Sequence, residues 1–119
     1  MAHILVAEDD DNMREFLSRA LRRAGHSVEA AGDGLEAMSI LQQREFDLLL
    51  ADVVMPGLDG VEVARRATQK NPQLKVMFIT GFAAVALRAR NGLRGAPRVL
   101  SKPFHLKDLV HQINDMLLA

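Results

Sequence analysis

The chain of 119 residues has no cysteine, which excludes disulfide staples and thiolate chemistry and is compatible with a reducing compartment. It has no excess of either charge: 15 Lys and Arg stand against 15 Asp and Glu, with a pI near 6.9. No bulk positive field draws it to nucleic acid or anionic lipid, so neither is expected as a partner. A long hydrophobic run is also missing. No stretch approaches the about 18 apolar residues that span a bilayer, and Met1-Ala2-His3-Ile4 has no basic region leading into an apolar one. A cytoplasmic, unanchored protein is expected. Internal repeats and low-complexity segments are absent, and the length suits one domain over residues 1–119. The remainder, 49% hydrophobic and 25% charged, reads as a globular chain.

What is present is organised around residues 46–60. Phe46-Asp47-Leu48-Leu49-Leu50-Ala51 is a nearly unbroken apolar run that ends in Asp52, and Met55-Pro56-Gly57 then turns the chain. Such a run predicts a strand buried on both faces. A carboxylate at the carboxyl end of that strand lies where open α/β sheets place their ligands.

The other segments repeat the theme. Ile4-Leu5-Val6-Ala7 is a second buried strand, and it too ends in acid, at Glu8-Asp9-Asp10-Asp11. From Asn12, Met13, Phe16, Leu17, Ala20, Leu21 and Ala24 recur at helical spacing, with Arg14 and its charged neighbours on the other face and Gly25 as the stop. Residues 27–31 alternate as a less buried strand near a sheet edge does. Asp33 before Glu36, and Asp59 before Glu62, predict capping-box-like helix starts, and Asn71-Pro72 closes the third helix. Residues 74–79 form a strand ending in Thr80-Gly81. Residues 83–90 read as a short Ala-rich helix, 98–101 as the last strand leading to Lys102-Pro103-Phe104, and 105–118 as the last helix. Five strands alternating with five helices specify a parallel sheet covered on both faces. In the flavodoxin-like order 2-1-3-4-5, the first and third strands meet at the switch point, bringing Glu8, Asp9 and Asp52 face to face.

Three carboxylates in one crevice repel and tend to hold protons unless a cation sits among them. Mg2+ suits such a site, because it is a hard ion that takes few protein carboxylates and leaves positions for water and phosphate oxygens. The backbone carbonyl of Val54 is a further candidate ligand. Thr80 supplies a hydroxyl and Lys102 a positive charge above the same sheet edge, and both suit a phosphoryl group. Phosphoryl transfer needs mainly positioning and charge neutralisation, so a carboxylate nucleophile, a metal, a cation and a hydroxyl suffice.

The set Glu8-Asp9, Asp52 with Met55-Pro56-Gly57-Leu58-Asp59-Gly60, Thr80, and Lys102-Pro103-Phe104 resembles the receiver domain of two-component response regulators across essentially the whole chain. The resemblance implies that Asp52 accepts a phosphoryl group from a histidine kinase or histidine phosphotransferase. It implies Mg2+ at Glu8, Asp9 and Asp52, Lys102 against the phosphoryl group, Thr80 as the switch hydroxyl, and a cis peptide before Pro103. It implies a signalling protein with no enzymatic turnover beyond its own phosphorylation and dephosphorylation. One position departs from the family: Val99 stands where a Tyr or Phe often lies three residues before the lysine, so the Thr80-Gly81-Phe82 loop is expected to carry the change instead. No output domain is expected, and the chain is similar to stand-alone regulators. Its residues 80–87 and 100–106 resemble the alphaproteobacterial CpdR group, which implies a ClpX-type protease system as downstream partner.

Other readings stand beside this one. A small Mg2+-dependent phosphatase with an aspartyl nucleophile needs an acid two positions past that nucleophile, where Val54 stands, and a substrate cap for which there is no insertion. A phosphate shuttle in a relay differs only in its partner. Asp10, Asp11, Asp33 and Asp59 read as helix caps, and His3, His26, His105 and His111 as surface residues without ligand spacing. Arg88, Arg90, Arg94 and Arg98 form a basic cluster, either a solvated face or a partner surface.

Overall fold

The computed structural model describes residues 2–81 and 97–118. His3–Ala7 forms β1, Asp11–Arg23 α1, Ser27–Ala31 β2, Gly34–Gln43 α2 and Leu48–Asp52 β3. Gly60–Lys70 forms α3, Lys75–Thr80 β4, Arg98–Ser101 β5 and Leu106–Leu118 α4. The five strands make one parallel sheet in the order β2-β1-β3-β4-β5, so the flavodoxin-like topology is present as expected. The helix expected over residues 83–90 lies outside the described residues, as do Arg88, Arg90 and Arg94.

Strand alternation divides the core into two layers. Ile4 and Val6, Leu48 and Leu50, and Met77 and Ile79 pack with Leu17 and Leu21 of α1 and Leu109 and Ile113 of α4. Leu5 and Ala7, Leu49 and Ala51, and Val76 and Phe78 face Ala37 of α2 and Val63, Ala64 and Ala67 of α3. β3 sits in the middle with all five residues buried, which is why its sequence is apolar without alternation. Each fully buried Leu or Ile contributes about 1.5–3 kcal/mol, so the central strands anchor whatever their ends carry. The edge strands β2 and β5 are only partly buried.

The caps are those of the sequence, with two refinements. Asp10, Asp33 and Asp59 accept from the backbone N–H of Met13, Glu36 and Glu62. Asp11 is not a cap; it is the first residue of α1 and pairs with Arg14. The two Glu residues do not complete capping boxes. Glu36 Oε1 accepts from Gly32 N instead, and Glu62 turns to Arg65 and Arg66. His105 and His111 are exposed, while His3 and His26 are half-buried. His26 accepts from Ala2 N at Nδ1 and lies 2.8 Å from Asn114 at Nε2. Arg98 is paired with Asp115.

Candidate functional site: an acidic crevice bridged by a lysine

Three strands of the sheet supply the site, and the pleat decides which side chains meet. Ile4, Val6 and Glu8 follow one another on a single face of the sheet, as do Leu48, Leu50 and Asp52, and Leu100 and Lys102. All three series belong to the layer packed under α1 and α4. Because β1 and β3 are adjacent and in register at Ala7 and Ala51, the residues that follow come out side by side. The polar residues of the site therefore continue apolar rows that the core fixes in place.

Lys102 joins the acids. Its Nζ donates to Asp52 Oδ2 at 2.7 Å and to Glu8 Oε1 at 2.9 Å. Glu8 is fully buried and Asp52 nearly so. The remaining oxygens also have partners: Glu8 Oε2 accepts from Asp10 N and Asp52 Oδ1 from Val54 N, both at 3.2 Å. Asp9 is exposed beside them, and one carboxylate oxygen from each of Glu8, Asp9 and Asp52 lies within 4.8 Å of the others. Burial pushes the Glu8 carboxyl above its usual range, against the lowering effect of the Lys102 hydrogen bond. For Lys102, burial acts downward, but the bonds to Asp52 and Glu8 together hold the ammonium above its ordinary value.

Lys102 is also tied to the end of β4. Its N–H donates to Thr80 O at 2.8 Å, and the Lys102-Pro103 peptide is cis, as the family resemblance implies. Thr80 ends β4 fully buried, in register with Ser101, and follows Val76 and Phe78 in the alternation, on the other face from Lys102. Val54 is exposed just past Asp52. Glu8, Asp9, Asp52 and Lys102 are thus brought together, with Val54 and Thr80 adjoining through backbone contacts.

Two features were not read from the sequence. Gly60 is buried so tightly beneath Asp52 that a Cβ would lie 2.0 Å from the Asp52 carbonyl oxygen. Arg14, expected on the outer face of α1, reaches back to the Glu8 carbonyl. Nothing local in the sequence signals either contact, since both depend on the β1–α1 and β3–α3 turns closing.

The donor set tests whether a cation fits. All three candidate ligands are carboxylates, with no sulfur or nitrogen among them, and they converge within the reach of one ion. Such a donor set suits a divalent ion that prefers oxygen ligands.

The family description of the response regulator receiver domain matches residues 4–114. The chain belongs to that family. This receiver is 55% identical over 119 residues to the response regulator receiver protein CpdR of Brucella abortus, covering 100% of this chain and 99% of that one. Among solved structures, the receiver domain of the hybrid histidine kinase CckA is similar at 33% identity, with a TM-score of 0.83 over 97% of this chain and 98% of that one. The response regulator TrrA of Thermotoga maritima, in complex with Mg2+ and BeF, matches at 29% identity and a TM-score of 0.83, covering 98% of this receiver and 99% of that chain. Among the described residues, no helix of the receiver is long and apolar enough to cross a membrane.

Proposed function

We propose that this receiver is a phosphorylation-controlled protein-binding module of a two-component phosphorelay. Its donor is the phosphohistidine of a histidine kinase or phosphotransferase. A carboxylate oxygen of Asp52 bonds to phosphorus, the P–N bond breaks, and its electron pair stays on the imidazole nitrogen. Glu8, Asp9 and Asp52, with the Val54 carbonyl, are the residues that would hold Mg2+, which when bound neutralises charge on the phosphoryl oxygens. Lys102 already stands on Asp52 and passes from the carboxylate to the added phosphoryl oxygens. Thr80 supplies the hydroxyl that registers the new group. The chemistry stops at phosphorylation and its hydrolysis, without turnover of a separate substrate.

The observation that carries this reading is the Lys102 ammonium shared between Asp52 and Glu8, with Asp9 beside them. Phosphorylation adds about −1.5 to −2 of charge at this point, and a partner that favours one arrangement of the surrounding surface reads the state. Full-length likeness to CpdR supports a ClpX-type protease system as that partner. The setting is cytoplasmic, with neither nucleic acid nor membrane involved. A phosphate shuttle is the second reading, and the similar CckA receiver is part of a hybrid histidine kinase. Transfer from phosphorylated Asp52 to a histidine phosphotransferase distinguishes it.

The test is incubation with acetyl phosphate and Mg2+, followed by intact-mass measurement. The wild type gains one phosphoryl group and Asp52→Asn gains none. A wild type that stays unmodified overturns the proposal. Affinity capture with wild type and Asp52→Asn then identifies the partner.

A further inference from the structure

Among the three acids of the crevice, Asp9 is held differently. Glu8 and Asp52 are each fixed by the Lys102 ammonium and by one backbone N–H. The exposed carboxylate of Asp9 has neither a hydrogen bond nor an ion pair among the described residues. No side-chain contact places it, so the backbone from which it projects sets its reach, and the peptide joining Glu8 to Asp9 is one rigid plane that includes the Glu8 carbonyl. Whatever holds that carbonyl fixes the backbone from which Asp9 projects.

Arg14 holds it. The guanidinium, with its side chain 25% exposed, donates from Nη1 to Glu8 O at 2.9 Å and from Nη2 to Asp11 Oδ1 at 2.6 Å. One planar fork thus spans the turn between β1 and α1 from end to end. The fork lies against Gly32, where a Cβ would stand 3.2 Å from Nη1. Gly32 has no left-handed φ, so its lack of a side chain answers to space and not to backbone strain. Its N–H is itself fixed by Glu36 Oε1 at 2.6 Å, and Glu8 N donates to Ala31 O at 3.0 Å.

We propose that Arg14 is a positioning residue for the metal site, orienting the Glu8–Asp9 peptide through the Glu8 carbonyl, and that Gly32 is the gap that admits its guanidinium. This rests on the reading of Glu8, Asp9 and Asp52 as Mg2+ ligands. Two effects of Arg14 oppose each other, and their signs separate them. A cation near an acidic site repels Mg2+, so a purely electrostatic role makes binding tighter when Arg14 is removed. Positioning makes it weaker. Supporting residues around metal ligands are typically worth 10–100-fold in affinity, which exceeds the screened effect of one guanidinium already paired with exposed Asp11.

The experiment is calorimetric titration of Mg2+ into the wild type, Arg14→Ala, Arg14→Lys, Gly32→Ala, the double variant Arg14→Ala with Gly32→Ala, and Asp9→Asn, with the thermal midpoint recorded for each. Arg14→Ala weakens Mg2+ binding on the order of tenfold. Arg14→Lys also weakens it, because the charge is kept and the fork is lost. Gly32→Ala weakens it by a smaller factor while leaving Arg14 in the chain, and adds nothing in the Arg14→Ala background, since both act through one contact. Unchanged or tighter binding in Arg14→Ala overturns the proposal, as does an additive double variant. So does a lowered midpoint without a change in affinity, which marks a purely structural role. If Arg14→Ala does not fold, Arg14→Lys and Gly32→Ala decide. A wild type that binds no Mg2+, or an Asp9→Asn variant that binds as the wild type does, overturns the underlying reading of the site and the role of Arg14 with it.

Discussion

The Lys102 ammonium lies 2.9 Å from an oxygen of Glu8, a carboxylate buried at the opposite end of the chain's sequence of strands. The same ammonium lies 2.7 Å from Asp52. One cation therefore bridges two buried carboxylates and offsets part of their mutual repulsion. Lys102→Met keeps the apolar stem and removes the charge, leaving Glu8 and Asp52 facing each other. Breaking a buried pair in this way costs about 3–5 kcal/mol, and partial exposure of Lys102 places the expected loss near or below the lower end. Added Mg2+ restores part of the loss by binding only the folded acids. Urea unfolding near neutral pH, with and without Mg2+, checks this, and an equal loss in both conditions contradicts it.

Glycine positions divide into two kinds with different consequences. At Gly60 a Cβ would meet the Asp52 carbonyl oxygen at 2.0 Å, and Gly60 N donates to Val53 O at 2.9 Å. Gly60→Ala must therefore displace the strand end that carries Asp52, costing about 3 kcal/mol or more and suppressing modification by acetyl phosphate. Gly25 has φ of 97° and nothing within 4 Å of a Cβ. Gly25→Ala costs only about 1 kcal/mol of backbone strain and leaves modification of Asp52 intact. Unfolding and intact-mass measurements on the two variants test the contrast.

Glu62 gives a pH dependence whose sign is fixed. Hydrogen bonds from Arg65 and then Arg66 hold its carboxyl down to about 2, from 4.5 in the unfolded chain. The folded state thus holds this charge more firmly, and the stability it contributes is complete above 4.5 and lost as the pH falls toward about 2. Glu62 is at the surface, so salt screens the effect. Comparison of Glu62→Gln with wild type in acid titrations of stability should show a shallower acid slope for the variant, with the difference shrinking in high salt. Identical slopes at low salt contradict the assignment.

The fold was legible because its signals are local. Unbroken apolar runs such as 48–51 mark central strands, and Asp10, Asp33 and Asp59 each precede a helix by the spacing a cap requires. The crevice was legible because acids end two of those runs and Lys102 ends a third. Arg14 was not, since helical periodicity assigns a residue to a face without saying that a long side chain turns back over the helix start. Gly60 was not, because the turn motif that contains it shows the bend and not the carbonyl packed against it. Likewise, the pairing of Glu62 with two arginines displaced a capping box that spacing alone suggested.

On the proposed function, Thr80 and Val99 bear on how the phosphorylated state is relayed. Val99 pairs in register with Phe78 and packs into the layer under α2 and α3, so β5 offers no aromatic ring there to follow a movement of Thr80. Thr80 is fully buried at the end of β4, and its carbonyl receives the N–H of Lys102, which ties the strand end directly to the residue on Asp52. On the proposed function, the Thr80 hydroxyl is the group expected to register phosphorylation. Thr80→Val keeps the branched shape and removes that hydroxyl. Acetyl phosphate should still add one phosphoryl group to Asp52 in this variant, because the acids and Lys102 are untouched. Partner capture should no longer differ between the modified and unmodified protein. Capture that still follows phosphorylation in Thr80→Val assigns the switch to another group, and loss of modification itself moves Thr80 from the relay into the transfer step.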